Sequence, residues 1–256
     1  MSIMLRARLC RVVALSGAVL AFLALGVAAQ SQPVCNAVTH EGARYTICDV
    51  DLRRQTTRLF WKRPDGESYG YLQQLPATDH ATGRKLQFAI NAGMYHPDYR
   101  PVGLYVEGRR ELAKASTARG PGNFHMKPNG IFYVSGNTTG VMETGAYLKA
   151  KPPADIATQS GPMLVIDGKL HPRFTPQGES RKGRNGVGVR DAQTIVFAIS
   201  EDDVSFGAFA RLFRDTLKCP NALFLDGGSV PTLYIPGGAR GGNFLPLGPM
   251  LGVYGK

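Results

Sequence analysis

Short apolar stretches closed off by glycine or proline recur along most of the chain. Alternation of apolar and polar positions over residues 44–50, and short, mainly apolar segments at 58–61, 87–90, 103–107, 130–134, 163–166, 186–189, 194–200 and 222–225, predict strands. Pro128-Asn129-Gly130 and Asp167-Gly168-Lys169 read as turns between them. One stretch has a different period. Phe206, Phe209, Leu212, Phe213 and Leu217 fall on a 3.6-residue stripe, with Asp203 as a cap or first-turn acid and Pro220 as the stop. The pattern predicts an α+β fold: a strongly twisted, mainly antiparallel β-sheet packed on a principal helix, in a single domain over residues 30–256.

The first 29 residues read as an export signal. Arg6, Arg8 and Arg11 form a basic start, residues 12–27 carry no charge, and Val27-Ala28-Ala29 supplies small residues before a cut ahead of Gln30. An uncleaved anchor is the rival reading, but the apolar run is short for a span. Cleavage implies a periplasmic or secreted protein without stable membrane insertion. Removing three arginines from 30 basic residues leaves 27 against 19 acidic ones, so the net charge falls from +11 to +8. Acidic partners follow from that charge. The positives are scattered and no recognition motif is present, which argues against nucleic acid and for a phosphate-bearing glycan or an anionic envelope.

Cys35, Cys48 and Cys219 remain after cleavage. In an oxidising compartment the first two, close in sequence, would staple a hairpin and leave Cys219 buried, with a Cys219 bridge as the alternative. The five histidines are dispersed and no CxxC occurs, so a zinc site is not expected.

Candidate chemistry gathers where glycines follow apolar runs. Phe224-Leu225-Asp226-Gly227-Gly228-Ser229 delivers a carboxylate into a turn whose backbone N–H groups lie open to a ligand, although Asp-Gly is equally a hairpin turn signal. Three more such segments are Phe88 to Tyr95, Gln159 to Val165 and Arg184 to Val189. In these the chain resembles the phosphodiester glycosidase family. That family's Asn-Gly-Gly-Phe-Phe element resembles Asn91-Ala92-Gly93-Met94-Tyr95. Its Arg-Thr-Ala-hydrophobic-Gly element resembles Arg184-Asn185-Gly186-Val187-Gly188, and its Leu-Asp-Gly-Gly-Gly-Ser element resembles Leu225 to Ser229 with one glycine fewer.

The resemblance implies hydrolysis of a sugar-1-phosphodiester. Cleavage at an anomeric carbon needs a carboxylate, while phosphate departs readily with cationic and N–H assistance. On this reading Asp226 is the carboxylate, Arg184 the phosphate clamp, and Asn91 and Asn185 hydrogen-bond sugar or phosphate. Ser160, Ser229, Gly93, Gly227 and Gly228 would line the substrate. His96 and His125 are candidate proton carriers, and Glu143, Glu201, Asp202 and Asp203 candidate second carboxylates. Each has a plain alternative: Arg184 in a solvated basic loop, Asn91 in an Asx-turn, Asp226 capping its own turn, the histidines merely packed. No cofactor is required, though Asp226 with a neighbouring carboxylate could hold calcium or magnesium. Two rival functions remain: a non-catalytic glycan- or envelope-binding domain that keeps the cleft, and a phosphodiesterase attacking phosphorus.

Overall fold

Thr194 to Ser200 is apolar at every interior position because both faces of its strand are covered, the pattern of a central strand rather than a half-exposed one. Ile195, Phe197 and Ile199 point into one core, and Val196 and Ala198 into another. The computed structural model describes residues 1, 34–175, 178–225, 232–238 and 240–256. Residues from Pro33 to Lys256 form one unit.

Three antiparallel sheets make up that unit. The first has the order β1 (Cys35–His40), β2 (Ala43–Asp51), β13 (Thr194–Ser200), β12 (Asn185–Asp191), β14 (Asn221–Phe224), β10 (Met163–Ile166) and β11 (Lys169–Leu170). The second runs β15 (Leu233–Tyr234), β4 (Lys85–Asn91), β16 (Met250–Gly255) and β3 (Thr56–Phe60). The third runs β6 (Arg110–Ala113), β5 (Tyr105–Glu107), β9 (Ile156–Ser160), β7 (Gly130–Ser135) and β8 (Thr138–Glu143). The sequence pattern predicted one twisted sheet; three share the central core, which takes Val50 and Phe197 from the first, Phe88 and Leu251 from the second, and Tyr105 and Phe132 from the third.

The outer face of the first sheet is covered by α2 (Phe206–Arg211), which passes into a five-residue π-helical turn, Leu212–Thr216. Phe209, Leu212 and Phe213 are fully buried there. Each such side chain contributes roughly 1.5–3 kcal/mol of transfer free energy. The helix is capped by Ser205, whose hydroxyl accepts from the Ala208 N–H at 3.1 Å, and not by Asp203. Gly186 and Gly188 alternate along β12 on the helix side. A Cβ on Gly186 would lie 2.8 Å from the Leu223 carbonyl oxygen, and one on Gly188 2.7 Å from the Cys219 sulfur. These two glycines therefore let the helix layer approach the sheet.

Cys35 and Cys48 face each other across β1 and β2 and are joined by a disulfide, and Cys219 is free and buried. Among the described residues, no helix is long and apolar enough to cross a membrane.

Candidate functional site

Four strand ends from all three sheets meet at one place, and hydrogen bonds tie them into a closed circuit. At the end of β4, Asn91 accepts from Asn185 Nδ2 through its Oδ1 at 2.6 Å. Asn185 opens β12, and its carbonyl accepts the Leu225 N–H at 3.2 Å as the chain leaves β14. The Phe224 N–H reaches the Pro162 carbonyl at 3.1 Å, just beyond Ser160 at the end of β9. Thr158 Oγ1, also on β9, donates to the Ala92 carbonyl at 2.6 Å, which returns the circuit to β4.

The interior of this circuit is polar and buried. Asn91, Asn185 and Ser160 are at most 1% exposed. Asn185 Oδ1 and Ser160 Oγ have no hydrogen-bond partner among the described residues. Buried polar atoms are nearly always paired, and an unpaired one costs about 1–3 kcal/mol, so two in one corner mark it as the candidate site. Gly93 belongs to the same corner. Its φ is +131°, and a Cβ there would lie 2.8 Å from Thr158 Oγ1, so it is a close-approach glycine between β4 and β9.

Arg184 is 2% exposed, so it is not part of a solvated loop. Its Nε donates to the Val204 carbonyl and one terminal nitrogen to the Ser180 carbonyl, both at 2.8 Å. The guanidinium lies 3.5 Å above the ring of Phe206, which itself stacks on Phe174 at 5.1 Å. His171 continues the column at 4.7 Å from Phe174, and burial pushes its pKa down, favouring the neutral ring. A planar cation held by carbonyls and an aromatic face is fixed in orientation beside Asn185.

The other predicted residues lie elsewhere or outside the described chain. Asp226, Gly227, Gly228 and Ser229 fall outside the described residues. Their flanks are well placed: Leu225 bonds to Asn185, and Leu233 pairs with Ile90, the neighbour of Asn91. His96 sits half-buried in the turn that follows β4, where its N–H donates to the Arg100 carbonyl. The His125 ring nitrogen Nδ1 is 3.1 Å from the Ala118 carbonyl. Neither ring hydrogen-bonds to the circuit among the described residues.

Three of the four candidate second carboxylates are engaged by other groups. Glu143 caps α1 (Thr144–Ala150) by accepting the Ala146 N–H at 2.9 Å. Glu201 pairs with Arg240 and accepts from Thr46 Oγ1. Asp202 is gripped by both the side chain and the backbone N–H of Arg44, which hold its pKa down at about 2. Asp203 is exposed ahead of α2. No three His, Cys, Asp or Glu side chains cluster as a metal site among the described residues.

Three residues that the sequence pattern did not single out support the circuit. Asn129, fully buried, receives Lys127 Nζ and Thr144 Oγ1 on its Oδ1 and donates to the Phe124 carbonyl. Gln159 accepts the N–H groups of Leu104 and Ser116 and donates to Thr144 Oγ1. Lys127 is partly buried, which lowers its pKa. The signal for Gln159 is visible in retrospect as a polar pair, Gln159-Ser160, ahead of an apolar run. Asn129 is indistinguishable in sequence from a turn residue.

A sequence profile described as phosphodiester glycosidase matches residues 84–254. The chain belongs to that family. It is 34% identical over 207 residues to an uncharacterized protein, YigE, of Escherichia coli K12, covering 81% of this chain and 80% of the relative. Among solved structures, the fold is similar to the catalytic domain of zebrafish N-acetylglucosamine-1-phosphodiester alpha-N-acetylglucosaminidase, auto-inhibited by its pro-peptide. That match has a TM-score of 0.56 at 13% identity and covers 87% of this chain and 82% of the zebrafish one. A hypothetical protein from Synechocystis matches with a TM-score of 0.53 at 14% identity, over 87% of this chain and 61% of the other.

Proposed function

We propose that this chain is an exported phosphodiester glycosidase that hydrolyses the bond between the anomeric carbon and the phosphate oxygen of a sugar-1-phosphodiester. The observation that carries the reading is the circuit of strand ends, with Asn185 Oδ1 and Ser160 Oγ buried and without a partner among the described residues, beside the point where Leu225 leads into Asp226.

Asp226 supplies the carboxylate. Positive charge develops at the anomeric carbon as its bond to phosphate lengthens, and an ionised carboxylate stabilises that charge or bonds to the carbon. Water then provides the oxygen that ends on the sugar, and the phosphate leaves as a monoester of the aglycone. Asn91, Asn185 and Ser160 orient the sugar or the phosphate oxygens. Arg184, with its fork on two carbonyls and its face on Phe206, contributes charge more than a bidentate grip. That charge favours departing phosphate. Phosphate is a good leaving group, so a strong general acid is not needed, in keeping with Glu143, Glu201 and Asp202 being occupied elsewhere.

Export rests on the basic start and uncharged run of the first 29 residues and is supported by the Cys35–Cys48 disulfide. Intact mass of the exported protein should then begin near Gln30; a product retaining residues 1–29 in the membrane contradicts it.

The test of the catalytic assignment is release of reducing sugar from a panel of sugar-1-phosphodiesters by wild type and Asp226→Asn, with thermal unfolding as the folding control. The variant should fold and lose at least ~10²–10³-fold in turnover. Equal rates in a folded variant remove Asp226 from the chemistry. The Asp-Gly-Gly-Ser sequence, one glycine shorter than the family element, favours a second reading, a glycan-binding domain without catalysis. That reading is distinguished by saturable binding of the same diesters with no sugar released.

A further inference from the structure

The third sheet is apolar on both faces. Phe132, Val134 and Tyr105 enter the central core, whereas Val106, Ile131, Tyr133 and Ala157 face outward. A seven-residue helix, α1, covers that outward face, with Tyr147 packed edge-on against Tyr133 at 5.5 Å. So short a helix cannot span five strands, which lie about 4.8 Å apart. Between it and β5 lies an open groove of about 980 Å³, floored by Leu104, Val106 and Tyr147 and walled by Leu148 and Pro152-Pro153.

Its rim is cationic. Lys114 follows β6 on one side and Lys151 caps the C-terminus of α1 on the other, both exposed and neither in an ion pair among the described residues. Arg109 is also at the rim but is neutralised by Asp155. Glu111 is the one carboxylate of the lining. The groove is at the far end of β9 from Ser160, about 13 Å along the strand, so it is separate from the circuit of strand ends.

We propose that this groove is a binding site for a single-chain anionic amphiphile, an acyl or alkyl chain ending in a carboxylate or phosphate. An apolar floor takes the chain, two lysines on opposite rims take the head group, and the volume suits a small-molecule site, typically about 300–1,000 Å³. β5, beneath the groove, is hydrogen-bonded on both sides, to β6 and β9, so the floor offers an occupant no main-chain partners and recognition there falls to apolar contact and the rim charges. The concave shape selects a monomer in place of a lipid surface. The site does not depend on the glycosidase reading.

The test is fluorescence titration of the purified full chain with dansyl-labelled undecanoate, and its displacement by dodecanoate, dodecyl phosphate and dodecanol below their micelle concentrations. One saturable site is expected, with both anions displacing the probe at concentrations about tenfold or more below the alcohol. Lys114→Glu with Lys151→Glu should weaken binding about tenfold, and Leu148→Asp should weaken it independently. Both sets of exposed positions leave the core intact, which thermal unfolding checks. Absence of saturable binding, equal displacement by the alcohol, unchanged affinity in folded variants, or association only with anionic vesicles would each overturn the proposal.

Discussion

Asn185 and Asn91 stand 94 residues apart in sequence and in different sheets, yet the amide of one donates to the amide oxygen of the other at 2.6 Å inside the protein. The contact links the first and second sheets at the point where both flanks of Asp226 are anchored. Replacing either asparagine by alanine removes this buried bond, so each change should cost about 1–3 kcal/mol of stability. The double variant should cost less than the two together, by roughly 0.5–3 kcal/mol of coupling. Chemical denaturation of the four proteins measures this; strictly additive effects would show that the pair does not act as a unit.

The Cys35–Cys48 bridge closes a loop with a sequence separation of 13. In the chain-entropy account such a loop contributes about 3 kcal/mol by restricting the unfolded state. Non-reducing peptide mapping should find these two cysteines joined, and Cys219 alkylated only after unfolding. Burial raises the Cys219 pKa to about 12 and keeps the thiol protonated. Rapid alkylation of Cys219 in the native protein would contradict its placement under the helix layer.

Much of this fold could be read from apolar runs, and the parts that could not share a physical cause. β13 and β10 are almost continuous apolar segments, β4 carries the apolar run Phe88-Ala89-Ile90, and the Phe206–Leu217 stripe marks α2 with its π-helical extension. β9, Ile-Ala-Thr-Gln-Ser, is buried throughout and yet half polar. It stays inside because Thr158 and Gln159 bond to backbone groups of neighbouring segments, a compensation visible only in three dimensions. Asn91, Asn185 and Ser160 were legible from Gly-bearing segments that resemble the family's, and the structure brings their strand ends together. Gly186 and Gly188, in a segment expected to be a strand, lie in β12 and serve helix packing, a role that shows only in three dimensions. Asn129 was hidden in what looks like an ordinary Pro-Asn-Gly turn.

Asp79 offers a pH signature of the second sheet. Burial pushes its carboxyl upward, but hydrogen bonds from Thr82 and Arg58 and from the Ala81 N–H outweigh that and hold the pKa below the ordinary 3.8. A carboxylate with a depressed folded-state pKa contributes stability above the unfolded value and loses it as pH falls through the folded one. Asp79→Asn should therefore destabilise the protein at pH 7 by about 1–3 kcal/mol. The difference should shrink progressively below about pH 4. A gap between wild type and variant that is constant from pH 7 to about pH 2.5 would mean that charge plays no part there.

The central claim, attack at the anomeric carbon of a sugar-1-phosphodiester, is tested most directly by hydrolysis in water enriched with oxygen-18. Mass spectrometry of the two products locates the label. The mechanism places it on the anomeric oxygen of the released sugar and leaves the phosphate monoester unlabelled. Label in the phosphate would mean attack at phosphorus and would contradict the glycosidase assignment.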